Sequence, residues 1–324
     1  MRTEFTLSYV LTTRNKLPLL KELVKRLVAN AQPDEEIIII DAASTDGTTE
    51  FLRELHREGH IHQFISERDR GEAHGLNKGI LRARGQLIKV LSDDDAFYWP
   101  GIQACKQFLL EHPECHLMGA QSANTLFERP EAVYICREFD RDFEEWRRTG
   151  RRFFFNGLPL MLRRSALPLV GLFNADCIAV DFEFTLRVTG SANLAWYDSV
   201  LALRIDNSAS NYRTQSARIL AEVKRYAQMY DRMDYVTGNQ PPPPTALQRL
   251  RRVAGATKRR ILGRIFTPPP PPASPPSVQR TPAKVMELCD AWLVEHHRKH
   301  PGRVLVREEP RAVPAATPPA PVRS

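Results

Sequence analysis

The first ninety residues alternate between short apolar runs and stretches with helical periodicity. The apolar runs are Leu7 to Leu11, Glu36 to Asp41 and Leu87 to Leu91. They are short and rich in branched residues, which is typical of buried parallel strands. Thr48 to Arg57 has the spacing of an amphipathic helix, and so does the stretch after Pro18, with apolar positions at Leu19, Leu20, Leu23, Leu27 and Val28. The pattern predicts an α/β fold with a doubly wound, mostly parallel sheet flanked by helices.

Polar residues follow each predicted strand. Thr12 to Asn15 follows the first strand, Asp41 to Thr48 ends the second, and Asp93-Asp94-Asp95 follows the third. The carboxyl ends of parallel strands form the ligand-binding edge of such sheets. Buried carboxylates need a partner, and a hard cation such as Mg²⁺ or Mn²⁺ suits them and usually bridges to phosphate. The edge therefore predicts a nucleotide diphosphate site, with a simple turn or an acidic helix start as the alternative.

Taken together, these motifs resemble family 2 glycosyltransferases with the Rossmann-related GT-A fold. The resemblance rests on residues 12–15, 41–48, 67–85 with Asn77-Lys78-Gly79, and 92–95, and it covers about residues 5 to 210. It implies an inverting, metal-dependent, nonprocessive transfer of a sugar from a nucleotide-sugar donor. The acceptor would be a hydroxyl of a glycan or lipid-linked glycan in cell-surface polysaccharide synthesis. Ala42-Ala43 departs from the family, which usually has Gly or another acid after the first Asp.

The resemblance also implies donor-binding residues. Asp41 would accept a hydrogen bond from uracil or another base, which makes a UDP-linked donor the expectation. Thr12 and Arg14 would line the donor pocket, and the Arg14 guanidinium suits phosphate or base. Lys78 would add a positive charge there, with a solvated lysine on a helix as the equal alternative.

The acidic triplet divides into three expected roles. Asp94 would lie near the ribose, Asp95 would ligate Mg²⁺ or Mn²⁺, and Asp93 would be a substitute ligand. An acid near residue 180 would complete the chemistry. Asp181 precedes an amphipathic stretch and resembles the family's general base, which takes the acceptor proton. Asp181 as a helix N-cap and Asp176 as a rival base are the alternatives, and Val180 replaces a second acid usual in the family.

Aromatic and arginine side chains concentrate between Glu138 and Phe155. They predict either an acceptor surface or a helix and a core strand, with packing favoured two to one. Gly157 to Arg163 is predicted to be the strand before the helix that bears the base.

Composition changes after about residue 240. Pro241 to Pro244 and Pro268 to Pro276 bracket Thr245 to Phe266, which holds seven Arg or Lys and no acid in a chain of formal net charge +8. A basic amphipathic helix on an anionic membrane and a solvated linker are equally good interpretations, while nucleic acid is not expected. The predicted organisation is 1–215 catalytic, 216–240 trailing helix, 241–280 proline-rich basic linker, 281–300 helix and 301–324 disordered tail.

Five scattered cysteines and the lack of a long apolar run predict a cytoplasmic protein, with peripheral contact at the inner face of the membrane as an option. Two other functions stay open. A non-catalytic module of the same fold would have no reason to keep acids at 41, 94, 95 and 181. A nucleotidyltransferase usually has a Gly-rich loop after its first strand, and Leu11 to Leu17 contains no glycine.

Overall fold

The computed structural model describes residues 5–207, 210, 214–237 and 280–307. Its strands are β1 (Leu7–Thr13), β2 (Glu35–Asp41), β3 (Gln63–Ser66), β4 (Leu87–Leu91), β5 (Ala96–Phe97), β6 (Leu117–Leu126), β7 (Arg129–Ile135), β8 (Met161–Arg163), β9 (Leu194–Asp206) and β10 (Val304–Leu305). Its helices are α1 (Leu17–Asn30), α2 (Thr48–Arg57), α3 (Glu72–Arg82), α4 (Trp99–Glu111), α5 (Arg137–Thr149), α6 (Leu167–Val170), α7 (Val180–Val188), α8 (Ser216–Met229), α9 (Asp234–Thr237) and α10 (Pro282–Lys299).

One mixed sheet runs through the molecule in the order β10-β9-β6-β8-β4-β1-β2-β3, with β5 on β9 and β7 on β6. The strands β4, β1, β2 and β3 are parallel, and Thr13 lies opposite Asp41. Antiparallel pairs belong to the other half, where β8 joins β4 to β6 and β9 runs parallel to β6. The predicted α/β, GT-A-like class is confirmed, and the parallel half brings its carboxyl ends to one edge.

Helices cover both faces of the sheet because the central strands are apolar on both sides. In β2, Ile37 and Ile39 face one core cluster, whereas Ile38 and Ile40 face the other. Buried residues of α1, α2, α4 and α10 belong to the first cluster. Those of α3, α5, α7 and α8 belong to the second. This two-sided burial explains why β2 has no polar position before Asp41 apart from its first two residues.

The C-terminal part of the described chain belongs to the same body as the sheet. In α10, Val285, Met286 and Cys289 are fully buried in the first core cluster. The strand β10 pairs antiparallel with β9, where the sequence analysis predicts a disordered tail from residue 301. Periodicity predicts an apolar helix face but not the surface that covers it, so the sequence did not reveal this docking. The linker 241–280, including Thr245 to Phe266, lies outside the described residues except for Arg280.

The aromatic segment forms core. Phe143, Phe153 and Phe155 are fully buried, and the Phe143 ring stacks on Trp196 at 5.2 Å between centroids. The packing interpretation is therefore the one the structure supports. The predicted strand from Gly157 is wrong over its first half, because the Leu160 N–H bonds back to the Gly157 carbonyl in a turn and only Met161–Arg163 is strand.

All five cysteines are free and buried. Among the helices that the structure describes, none is both long and apolar enough to cross a membrane.

Candidate active site

The loops that follow β1 and β2 form one hydrogen-bonded unit. The Asn15 N–H donates to Ser44 Oγ at 2.8 Å, and the Thr45 N–H donates to Asn15 Oδ1 at 2.8 Å. Asp46 Oδ2 accepts from the Leu17 N–H at 2.9 Å, which satisfies one of the free amides at the start of α1. Two short loops, neighbours because their strands are neighbours, therefore hold each other in place.

Asp41 lies beneath this unit and is fully buried. Its carboxylate accepts from the Ser44 amide at 3.1 Å, from Ser66 Oγ at 2.6 Å and from Thr49 Oγ1 at 3.1 Å. The side chain thus orders the loop after β2. Its predicted contact with a donor base stays a prediction, and that contact requires one of these hydroxyls to give way.

The other predicted donor-binding residues, Thr12, Arg14 and Lys78, differ in exposure and partners. Thr12 is half-buried at the end of β1 and packs close to Gly75 of α3, where an added Cβ would lie 2.9 Å from Thr12 Cγ2. Arg14 is exposed at the tip of its loop. Lys78 pairs with Glu67 at 2.8 Å, so its charge is already matched on the surface of α3. The role of Lys78 in the donor pocket stays a prediction, with Glu67 as its partner in the ligand-free protein.

The acidic loop after β4 holds a cation from the protein itself. Asp93, Asp94 and Asp95 are all buried. The Lys16 ammonium lies 3.2 Å from Asp93 Oδ1 and 2.6 Å from Asp94 Oδ2. Asp94 Oδ2 also accepts from Asn207 Nδ2 at 2.8 Å. The sequence analysis missed Lys16, although its place directly after Thr12 to Asn15 was a usable signal.

Asp95 is held by two other donors, although the charge of Lys16 also acts on it. Its Oδ1 accepts from the Ile205 N–H at 2.7 Å, and its Oδ2 accepts a short hydrogen bond from Ser92. Each oxygen keeps a free lone pair, so the two donors orient the carboxylate as hydrogen bonds commonly orient metal ligands. Burial, and then the charge of Asp94, raise the pKa of Asp95. The same two causes raise the pKa of Asp93.

These carboxylates fit a metal ion of the Mg²⁺ type. Within the described part of the chain, no three His, Cys, Asp or Glu side chains converge as a protein cage for a metal would require. Mg²⁺ and Mn²⁺ need no such cage in nucleotide sites, because one or two carboxylates suffice when water and phosphate supply the rest. The ammonium between Asp93 and Asp94 shows that this position accepts a cation.

Asp181, the predicted base, lies in the first turn of α7. Its Oδ2 accepts from the Gly157 N–H at 3.3 Å, and its Oδ1 accepts from the Phe182 N–H at 2.9 Å. Glycine at 157 suits this close approach, because an added Cβ would stand 3.0 Å from the Asp181 Cβ, closer than an ordinary contact. Burial raises the pKa of Asp181, and these two amides only partly oppose it. The N-cap of α7 is Ala179, so the N-cap alternative for Asp181 is wrong.

Two distant residues hold the segment that carries Asp181. Glu222 of α8 accepts from the Ile178 N–H at 2.6 Å and from the Ala179 N–H at 3.0 Å. Asn77 of α3 exchanges two hydrogen bonds with the Phe173 backbone, at 2.8 and 3.0 Å. The motif residue Asn77 thus holds the segment that leads into α7, which its place in the motif alone does not reveal.

Asp176, the rival base, lies outside the cleft. Its side chain is 85% exposed and its closest charged partner is Arg70, at 3.8 Å. Solvent competes for both groups at such a site. The structure therefore favours Asp181.

Glu72 is the first residue of α3 and is exposed. Limited solvation by the surrounding protein, and then the charge of Asp181, raise the pKa of Glu72. Lys16, Asp93 and Asp94 also act on its charge. Asp181, Asp93 and Asp94 thus lie close enough to Glu72 for their charges to raise its pKa.

The sequence profile of Glycosyl transferase family 2 matches residues 8–171, just over half of the 324-residue chain. The chain belongs to glycosyl transferase family 2. The match spans the two bonded loops after β1 and β2, Glu72 and the acidic loop. It ends before Asp181 and Glu222, so the placement of these two residues depends on their own hydrogen bonds, to Gly157 and to Ile178.

Curated relatives resemble shorter segments. TuaG of Bacillus subtilis, assigned to teichuronic acid biosynthesis as a glycosyltransferase, is 28% identical over 105 residues, which are 32% of this chain and 42% of TuaG. The poly-β-1,6-N-acetyl-D-glucosamine synthase of Staphylococcus epidermidis is 30% identical over 99 residues, 28% of this chain and 24% of the synthase. The chain thus spans less than half the length of these relatives.

Two solved structures share the fold. Residues 1–349 of S. aureus TarS, in complex with UDP-GlcNAc, superpose with a TM-score of 0.54 at 13% identity, covering 70% of this chain and 65% of that one. The mannosyltransferase PcManGT from Pyrobaculum calidifontis, in complex with GDP-Man and Mn²⁺, superposes with a TM-score of 0.52 at 17% identity. The latter match covers 92% of this chain and 88% of PcManGT.

Proposed function

We propose that this protein is an inverting glycosyltransferase that moves a sugar from a nucleotide-sugar donor to a hydroxyl of a glycan or lipid-linked acceptor. One observation carries the proposal. Helix α3 packs Gly75 against Thr12 at the end of β1 and bonds Asn77 to Phe173 ahead of α7, so the donor loops and the segment that carries Asp181 adjoin one helix and would line one cleft. TuaG and the Staphylococcus synthase support a role in cell-surface polysaccharide synthesis.

In this mechanism the acceptor hydroxyl lies against Asp181. The raised pKa of this half-buried carboxylate makes it a better proton acceptor than an ordinary aspartate, because a base works best when its pKa approaches the working pH. The hydroxyl oxygen attacks the anomeric carbon as its proton passes to Asp181 and as the bond from that carbon to the diphosphate oxygen breaks. This single in-line displacement inverts the configuration at the anomeric carbon.

The acidic loop and the two bonded loops after β1 and β2 would hold the donor. Asp95 would be the metal ligand, oriented by Ile205 and Ser92, with Asp94 and Asp93 beside it. A bound Mg²⁺ or Mn²⁺ supplies positive charge that stabilises the departing diphosphate. Thr12, Arg14 and Asp41 would line the nucleotide side. UDP-linked sugars are the first donors to test, and GDP-linked sugars the second, because TarS and PcManGT were solved with one of each.

Peripheral contact with the cytoplasmic leaflet remains part of the proposal, based on the seven basic residues from Thr245 to Phe266. A truncation at Gln240 would remove the basic segment, but it would also remove α10 and its buried core residues. Replacing the seven basic residues by Gln is the better variant. Lost sedimentation with anionic liposomes, with nucleotide binding intact, is the expected result.

The first experiment measures metal-dependent nucleotide binding. Calorimetry with UDP and with GDP, with and without Mn²⁺, should show affinity that depends on the metal for one nucleotide. Asp95→Asn should remove this metal-dependent part, because the substitution deletes a charged ligand and keeps the side-chain shape.

Asp231→Asn is the matched control, since Asp231 is exposed and has a positive φ that asparagine also adopts. Equal metal-dependent affinity in wild type and Asp95→Asn would remove Asp95 from the site. Metal-dependent binding without any release of UDP or GDP from sugar donors, over a panel of glycan acceptors, would instead indicate the non-catalytic alternative.

A further inference from the structure

The Lys16 ammonium lies between the carboxylates of Asp93 and Asp94. Its ammonium lies 3.2 Å from one carboxylate and 2.6 Å from the other. The lysine side chain is 23% exposed, whereas those of Asp93 and Asp94 are 7% and 9% exposed. Carboxylates this buried are unfavourable without a counter-ion, so the ammonium stabilises the loop in the ligand-free protein.

The backbone around Lys16 is held while its side chain can leave. Asn15 is bonded to Ser44 and Thr45, and Leu17 is bonded to Asp46. Lys16 itself is the N-cap residue of α1, between these fixed neighbours. Four rotatable bonds separate its ammonium from this fixed point, so the charge can move to a nearby anion without any change in the loop.

Several acidic groups lie near this lysine. Lys16 contacts Asp93 and Asp94, and its charge acts on Glu72 together with those of Asp93, Asp94 and Asp181. A donor would add the charges of its diphosphate. A lysine ammonium is a compact point charge that commonly binds phosphate, so Lys16 has two competing sets of anions within its cleft.

We propose that Lys16 is a resident counter-ion of the acidic loop, which it leaves for the donor's diphosphate when a divalent cation binds to the loop. The inference rests on the proposed function and adds an order to it. Lys16 opposes metal binding to the free protein and favours nucleotide binding to the metal-loaded protein. Metal and donor therefore bind together more readily than either binds alone.

The test compares Lys16→Met with wild type in two measurements. Titration of Mn²⁺ followed by electron paramagnetic resonance, without nucleotide, should show tighter binding by the variant, on the order of tenfold, which is a usual size for coupling between sites. Calorimetry of UDP and GDP at saturating Mn²⁺ should show weaker binding by the variant, on the order of tenfold. Lys21→Met is the matched control, since Lys21 is an exposed lysine on the same helix.

The opposite signs of the two effects are the decisive result. A lysine that only supports the fold would weaken both kinds of binding when removed, and that outcome overturns the proposal. Unchanged Mn²⁺ affinity overturns it as well. If Lys16→Met does not fold, Lys16→Gln supplies the same comparison, and Lys16→Arg, which keeps the charge, should stay close to wild type in Mn²⁺ binding.

Failure of the proposed function gives a different pattern. Wild type would then bind neither Mn²⁺ nor Mn²⁺ with UDP or GDP, before any variant is examined, and the inference about Lys16 would fall with it. Wild type that binds both, with no sign reversal in the variant, overturns the role of Lys16 alone.

Discussion

The donor side and the base side of the cleft are built in different ways. On the donor side, loops after neighbouring parallel strands bond to each other, as in the contact of Asn15 with Ser44 and of Leu17 with Asp46. On the base side, Asp181 depends on Gly157 and on Glu222, which come from separate parts of the chain. The donor side therefore follows from strand order, whereas the base side depends on how remote segments dock.

The sharpest break in this comparison is Asp181→Asn. The variant keeps the side-chain size and loses the proton acceptor, so turnover should fall by about 10²-fold or more. Nucleotide affinity should not change, because Asp181 lies on the other side of the cleft. Release of UDP or GDP from the sugar donor is the measurement for turnover, and calorimetry is the measurement for affinity.

Asp176→Asn is the control and should retain wild-type turnover. A loss in Asp176→Asn with normal rates in Asp181→Asn would reverse the assignment of the base. The pH profile adds a second check. Because burial raises the pKa of Asp181, kcat/KM in wild type should decline as pH falls, with a midpoint above the ordinary aspartate value of about 3.9.

A smaller effect is expected from the support of the base. Glu222→Ala removes the acceptor for the Ile178 and Ala179 amides and lets the start of α7 shift. Turnover should fall on the order of tenfold, because small misplacements of a catalytic group already slow a reaction. Nucleotide affinity should stay at the wild-type value.

Glu222→Gln should restore most of the rate, since its amide oxygen can accept the same hydrogen bonds. Lys224→Ala, an exposed position on the same helix, controls for changes in α8. A parallel loss of nucleotide affinity in Glu222→Ala would show that the two sides of the cleft are not independent.

The smallest effect concerns the donor side. Asp46 accepts from the Leu17 amide and from Thr48, so it satisfies the starts of both α1 and α2. Asp46→Ala should lower the free energy of unfolding by about 1 to 2 kcal/mol, the usual effect of losing a helix cap. Nucleotide affinity should weaken modestly and turnover at saturating donor should hold.

Chemical denaturation measures the stability, and Asp46→Asn, which still accepts hydrogen bonds, is the matched variant. A selective loss of turnover in Asp46→Ala would contradict the division into two sides.

Local patterns predicted the donor side well. The strand from Leu87 to Leu91 and the helix from Thr48 to Arg57 match the structure, and β1 and β2 differ by one or two residues. Hydrophobic periodicity and turn residues act over a few positions, and these elements depend on nothing more distant. The order of elements then places their polar ends at one edge of the sheet.

Long-range contacts limited the rest. Lys16 and Asp94 are 78 positions apart, and Asn77 and Phe173 are 96 positions apart. No periodicity encodes such pairs, so the contact of Lys16 with the acidic loop was not predicted. The role of Glu72 also depended on knowing which acids surround it.

The helix α10 packs against elements that lie far earlier in the chain. Its Val285, Met286, Cys289 and Leu293 lie against the sheet on the face shared with α1 and α4, and β10 completes the edge beside β9. If a protease site is engineered between residues 238 and 279, cleavage should yield two fragments that still elute as one particle. Separate expression of the two pieces should then reconstitute nucleotide binding, because the buried face of α10 needs the sheet to cover it.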